Sequence, residues 1–229
     1  MFSRFRISVL VPCAVLMVSG LALLWGCATG PTFVVKDDPW RSPEERACLA
    51  SGIVRASAFI QPKSALGGPS VCGAESPFEM SAANNGRVEL KPPASLRCPM
   101  IPQIDSWVRD VVEPAARQHF RQEVVGITLL ASYSCRPMNG VSGSTISEHA
   151  YANAIDVGGF TLANGQKISM LRDWSGGTDR EQAFLRDVHG GACEYFTTVL
   201  GPNHDSLHAN HLHLDLAHHG RDGLKRICK

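Results

Sequence analysis

Three residues of this chain have the types and spacing of a mononuclear metal site: His149, Asp156 and His213. The first two lie in Ser147-Glu148-His149-Ala150-Tyr151-Ala152-Asn153-Ala154-Ile155-Asp156. The third ends the run His208-Ala209-Asn210-His211-Leu212-His213. Catalytic zinc takes three imidazole or carboxylate ligands and keeps a fourth position for water. Two His and one Asp meet that requirement and leave the ion net positive, which acidifies the water beside it. Zinc is also the ion that such ligation favours.

His149 and Asp156 are too far apart in sequence to share one helical turn. The expectation is a turn at His149 and a strand at Asp156, so that adjacent segments converge their ligands. Taken alone, such a pair is as easily a surface histidine and a strand-end aspartate. The second cluster carries more. From His211 to Leu216 the chain alternates, with His211, His213 and Asp215 on one face and Leu212, Leu214 and Leu216 on the other. That is a strand with one buried face and one functional face, its two histidines roughly 7 Å apart at Cβ. One can bind metal while the other faces a substrate, and His208 can reach the same place from the preceding turn. Exposed metal-scavenging histidine tracts lack the apolar alternation.

The elements that must hold these groups are legible in outline. Ser42-Pro43-Glu44-Glu45 reads as a helix start, with the helix running to about Phe59. Residues 61 to 86 are rich in Gly, Pro, Ser and Asn and read mostly as loop, followed by a short strand around Val88-Glu89-Leu90. From Cys98 to about Phe120 the apolar spacing is helical, with Pro114 as a kink or break. Gly126 to Tyr133 reads as a buried strand, and a glycine-rich loop from Met138 leads to Ser147. Ala154 to Leu162 is the next strand, with a hairpin turn at Asn164-Gly165 into Lys167–Met170. Thr178-Asp179-Arg180-Glu181 is a capping box, which gives Glu181 a structural role, and Gly190-Gly191 is expected to end or loosen its helix. Together these predict an α+β fold: an antiparallel sheet carrying the zinc site, with helices packed on one side.

The chain has 229 residues. Arg4 and Arg6 followed by an apolar run from Ile7 to Trp25, closed by Gly26-Cys27, read as a lipoprotein signal over residues 1–27 with Cys27 lipidated. An uncleaved membrane anchor is the other reading, since the run approaches the roughly 20 residues needed to span. Residues 28–41 read as a tether and 42–229 as one domain, large enough for its own core and expected to be monomeric. Without Arg4 and Arg6 the 22 basic residues become 20 against 21 acidic ones, a net −1. That balance offers no footprint for nucleic acid.

Setting aside Cys13 and Cys27, six cysteines remain: Cys48, Cys72, Cys98, Cys135, Cys193 and Cys228. In an exported domain they read as three disulfides, although six cysteines allow 15 pairings. Sequential pairing (48–72, 98–135, 193–228) is the expectation.

Ser-x-His-x6-Asp followed by His-x-His resembles the zinc metallopeptidases that include lysostaphin-type enzymes and D-Ala-D-Ala carboxypeptidases. More narrowly, the chain from about Cys48 to Cys228 is similar to the bacterial extensin-like C-terminal domain family. Tyr133-Ser134-Cys135-Arg136, Ser147-Glu148-His149-Ala150, Asn153-Ala154-Ile155-Asp156, Leu200-Gly201-Pro202 and His211-Leu212-His213-Leu214-Asp215 carry that similarity. The resemblance implies zinc on His149, Asp156 and His213, with His211 as general base or stabiliser of the tetrahedral intermediate and His208 as an accessory histidine. Arg136 resembles an arginine that binds a substrate carboxylate or the developing oxyanion. Related carboxypeptidases use the Glu of Glu-x-x-His as base. Here His208 and Asn210 stand in those places, so the pattern departs from them.

Several residues admit a plainer role. Ser147 is a substrate contact or a brace for the His149 turn, and Asp215 orients a histidine or faces solvent. Glu148 is an outside candidate for the base. His189, His204, His218 and His219 carry no motif and are expected in solvent, and Trp174 in the core. The implied function is peptidase action on peptidoglycan stem peptides in the cell envelope, at the outer membrane, from a membrane-anchored lipoprotein. The alternative is a zinc-containing scaffold that binds peptidoglycan without cutting it.

Overall fold

The computed structural model describes residues 33–36 and 38–229. The leader, its Cys27 and the first residues of the tether lie outside that range. In chain order, helix α1 (Arg41–Ser51) leads into short strands β1 (Ile60–Pro62), β2 (Leu66–Gly67) and β3 (Gly73–Ala74), then the longer β4 (Phe78–Ala83) and β5 (Val88–Leu96). Helix α2 (Met100–Trp107), one π turn (Val108–Val112) and α3 (Glu113–Phe120) follow. The remainder is β6 (Val124–Ala131), β7 (Ala154–Leu162), β8 (Lys167–Ser169), α4 (Met170–Gly176), α5 (Asp179–Ala192), β9 (Thr198–Leu200), β10 (Leu212–Asp215) and β11 (Ile227–Cys228).

The main sheet runs β1-β4-β5-β6-β7-β10-β9-β11, with β8 paired to β7. It is mostly antiparallel, but β5 with β6 and β9 with β11 are parallel. The β5–β6 pair needs a long crossover, and the α2–α3 segment supplies it. One face of the sheet packs on α2–α5 in a single core. Trp107 from α2 meets Phe160 of β7 and Phe196, and Phe160 meets Phe184 of α5. A smaller apolar cluster of Cys72, Ile146, Ala150 and Tyr151, flanked by Phe33 and Cys135, lies apart from it.

Several expectations change in the structure. Helix α1 stops at Ser51 rather than Phe59, because Gly52 takes a left-handed φ of 64° and caps it. The stretch expected as loop contains β4, whose side chains alternate in burial. Strand β5 runs past Pro92 and Pro93, which fall where the β4–β5 register shifts and no ladder donor is needed. Helical structure continues from Met100 to Phe120, and the break expected at Pro114 is taken up by the π turn just before it. Helix α5 passes through Gly190-Gly191, and Gly191 sits where a Cβ would collide with Val111. Its capping box at Thr178 and Glu181 forms as expected.

The disulfides are Cys48–Cys98, Cys72–Cys135 and Cys193–Cys228. Only the last follows the sequential order. The β4–β5 hairpin returns the chain to α1, which brings Cys98 to Cys48. The β2–β3 loop lies against the end of β6, which brings Cys72 to Cys135. The stretch read as a tether is docked over its described residues: the Val34 N–H donates to Ser144 O and Ile146 N–H to Val34 O, both at 2.9 Å. Arg41 is buried. No helix among the described residues is long and apolar enough to cross a membrane.

Strand β7 carries a bulge. Thr128 pairs with Gly159 and Leu129 with Val157, so Gly158 is an extra residue. A Cβ on Gly159 would collide with the Ile168 carbonyl of β8. Gly159→Ala is therefore expected to destabilise the fold by about 1–3 kcal/mol. Urea unfolding with the disulfides intact reads this as a lowered midpoint, and an unchanged midpoint would show that β8 yields freely.

Candidate metal centre

The bulge at Gly158 decides which way Asp156 points. In a regular strand Asp156 and Phe160 would share a face. With one extra residue between them, Ile155, Val157 and Phe160 all join the helix-side core, and Asp156 projects to the opposite side. Strand β10 pairs antiparallel with β7 and sets His213 directly across from Asp156. Directly opposed residues have Cβ atoms about 4.5–5.5 Å apart, so the ladder brings the two ligands together. Leu212 and Leu214 are fully buried on the other face, as the alternation predicts.

His149 arrives from a 3-10 turn, Glu148–Tyr151. The Ser147 hydroxyl accepts a bond from the His149 N–H at 3.3 Å and starts that turn, and Ala152, at φ 54°, ends it. The chain then enters β7. His149 Nε2 lies 3.1 Å from Asp156 Oδ1 and 3.2 Å from His213 Nδ1, and His213 Nδ1 lies 2.9 Å from the same oxygen. An ion with tetrahedral bonds of about 2.0–2.1 Å has ligand-to-ligand edges of about 3.3 Å. The triangle of three donor atoms has that size, so the residues fit a metal ion such as zinc.

The groups behind the ligands support the same assignment. His149 Nδ1–H donates to the Ser132 carbonyl at 2.6 Å, which leaves Nε2 as the free lone pair. His213 Nε2–H donates to Asp215 Oδ2 at 2.8 Å, which aims Nδ1 at the centre. Such partners fix tautomer and ring orientation in metal sites. Asp215 is buried and also accepts from Ala217 N–H at 2.9 Å. Burial opposes ionisation of Asp156, but hydrogen bonds from His149 and His213 outweigh it and hold the carboxyl well below the usual range. Burial likewise opposes charge on His213, yet Asp156 and Asp215 push it up to about 10. The cluster is built to hold positive charge between its carboxylates, and a metal would compete with a proton for Nδ1.

Around this triangle stand the other expected residues. His211 Nδ1–H donates to Asn210 Oδ1 at 2.7 Å, and its Nε2 lies 3.5 Å from Asp156 Oδ1. Burial, together with the neighbouring His208, His213 and His149, lowers its pKa against the pull of Asp156. Arg136 lies 3.7 Å from Asp156 Oδ2, its side chain about a third exposed at 34%. The His208 ring centroid is 5.1 Å from that of His211 and 6.1 Å from that of His213.

A second group of potential ligands, His204, Asp205 and His208, lies beside the first. Asp205 Oδ1 already accepts from Leu207 N–H, His208 N–H and His208 Nδ1–H at 2.9, 3.1 and 2.7 Å. These bonds make it a brace that orients His208. Ser147 is buried, and its hydroxyl serves the His149 turn. Glu148 points away from the His149, Asp156 and His213 triangle and pairs with Arg41 at 2.7 Å, which removes it as a base. Trp174 is buried and donates to Asn203 Oδ1 at 2.8 Å.

Three histidines expected in solvent are engaged. His189 bonds the Lys229 carbonyl at 3.1 Å, His219 bonds Thr198 Oγ1 at 2.7 Å, and His218 stacks on Trp40. His204 is exposed. Sequence reasoning missed Ser132, Asp205 and Arg41. Asp205-Ser206-Leu207-His208 has a capping aspartate as its one local signal. The other two act through the Ser132 main chain and a distant pairing, and have none.

The model of a family described as Extensin-like protein C-terminus matches residues 46–229. No curated protein and no solved structure matches the chain. All the potential metal ligands fall within the matched span. Replacing Asp215 with Ala or Asn removes the carboxylate that aims His213, and metal affinity is expected to fall about 10–100-fold. Competition with a chelator reads the change, and an unaltered affinity in a folded variant would show that Asp215 does not orient the ligand.

Proposed function

The chain belongs to the extensin-like C-terminal family, and on that premise we propose that it is a zinc-dependent peptidase acting on peptidoglycan stem peptides. The observation that carries this reading is the triangle of His149 Nε2, Asp156 Oδ1 and His213 Nδ1, with the tautomer of each histidine set by a bond on its far side. The likeness of Ser-x-His-x6-Asp and His-x-His to lysostaphin-type and D-Ala-D-Ala carboxypeptidase enzymes supports the same chemistry. Fold alone would not supply it.

Zinc bound there supplies Lewis acidity toward a carbonyl oxygen and toward water. The chain's own groups do the rest. His211, whose pKa burial lowers, presents Nε2 beside Asp156 while Asn210 holds Nδ1–H. Nε2 takes the proton from the attacking water as its oxygen bonds the scissile carbon. It then gives that proton to the amine nitrogen as the C–N bond breaks. Histidine thus fills the role that Glu plays in related carboxypeptidases. Arg136 offers a guanidinium to a substrate carboxylate or to the oxygen that gains charge. His208, held by Asp205, completes the imidazole wall. The Cys27 leader motif supports a lipid-anchored protein of the bacterial envelope, and the proposal includes placement at the outer membrane and a monomeric chain.

Purified muropeptides digested by the zinc-loaded full-length chain test the reading, with His211→Ala and His149→Ala alongside. Loss of a terminal D-alanine or a cut crosslink is expected, with His211→Ala lowering kcat about 10²–10⁴-fold and His149→Ala abolishing both zinc and product. No product from a chain that holds zinc and binds sacculi would overturn the peptidase and favour a non-catalytic scaffold.

A further inference from the structure

Arg41 opens α1, far in sequence from the metal ligands, and yet its guanidinium lies against the turn that carries His149. The residue is 8% exposed. Nη1 meets Glu148 Oε2 at 2.7 Å, and Nη2 meets Glu148 Oε1 at 2.9 Å and Asp38 Oδ2 at 2.6 Å. The guanidinium carbon also lies 3.9 Å from the centre of the Tyr151 ring. Glu148 and Tyr151 are the first and last residues of the 3-10 turn, and His149 sits between them. One arginine therefore grips both ends of the ligand's turn.

The grip is itself anchored. The Trp40 ring centre also lies 4.4 Å from the Arg41 guanidinium carbon, and Trp40 lies flat on His218 at 3.9 Å and 8°. His218 Nε2 is 2.9 Å from Glu44. Arg97 donates to the Arg41 carbonyl at 2.8 Å, and Asn153 donates to Glu148 Oε2 at 2.7 Å. Val34 adds main-chain bonds to Ser144 and Ile146 just before the turn. Residues 33–36 and 38–41 thus pack behind the turn that carries His149.

Resting on the metal-centre reading above, we propose that Arg41 is a positioning residue: by clamping Glu148 and Tyr151 it sets where His149 Nε2 meets Asp156 and His213. The His149 ring is held by the Ser132 carbonyl, but its backbone is placed by the turn, and the turn by Arg41. The bidentate fork requires a guanidinium, whereas an ammonium can lie over the rings as a cation but cannot make the fork. A role confined to anchoring α1 predicts that loss of Arg41 lowers stability and leaves the metal centre unchanged.

The test uses the full-length chain with Co²⁺, whose visible spectrum reports ligand geometry, and the variants Arg41→Gln, Arg41→Lys and Glu148→Gln. Each Gln variant is expected to bind Co²⁺ about 10–100-fold more weakly with a shifted visible band, and Arg41→Lys to recover only part of the loss. The double variant is expected to lose no more than either single one, because the two act as one unit. Glu148→Gln keeps the shape of the turn and carries the test if Arg41→Gln does not fold. Folded variants with wild-type Co²⁺ affinity and spectrum would overturn the proposal. If the wild-type chain takes up no Co²⁺, the metal reading fails by itself. The clamp is then read by NMR of ¹⁵N-labelled histidine, where loss of the His149 Nδ1–H signal in Glu148→Gln supports it and an unchanged signal overturns it.

Discussion

The antiparallel register of β7 and β10 is the constraint from which the rest of the centre follows. It places Asp156 opposite His213, and a slip of β10 by one residue would turn His213 to the wrong face. Two features hold that register. Leu212 and Leu214 bury one side of β10 completely, while Ile155 and Val157 do the same for β7. The bulge at Gly158 then lets a strand that is apolar along its length present a single carboxylate to the opposite side. The same sheet therefore has a dry face on α2–α5 and a face that concentrates imidazole and carboxylate.

Concentrating them has an electrostatic logic. Buried ionisable groups are costly unless paired and hydrogen-bonded. Asp156 and Asp215 flank His213, so the imidazole is held between two negative charges at 2.9 and 2.8 Å. Outside this core the pattern repeats more weakly: Asp205 holds His208 and Asn210 holds His211. His149, His211 and His213 each have one nitrogen committed to a partner behind the ring and the other beside Asp156. Arg136 approaches Asp156 Oδ2 at 3.7 Å from the more exposed side.

The parts of this arrangement that were legible in the sequence are the local ones. His211 to Leu216 announces its strand because the buried and functional faces alternate within six residues. The capping box at Thr178 and the hairpin at Asn164-Gly165 are likewise written in adjacent residues, and both form. Strand β4 was hidden because its six residues lie in a stretch dominated by Gly, Pro, Ser and Asn. The parallel β5–β6 pairing and two of the three disulfides depend on which distant segments meet, and neither residue type nor spacing encodes that. The same reason hides Arg41, whose partner Glu148 lies 107 residues away. A bulge that reverses the face of Asp156 had only the Gly158-Gly159 pair as a signal.

The sheet also ends with care. At one edge β1 is three residues long and closes on Pro62, which cannot donate to another strand. At the other, β11 is two residues long and is fastened by Cys193–Cys228 to the end of α5. Neither rim offers a long row of free amides and carbonyls to a passing chain. The central ladder, which must stay well paired to seat its histidines and aspartate, is thereby kept from becoming a template for edge-to-edge aggregation.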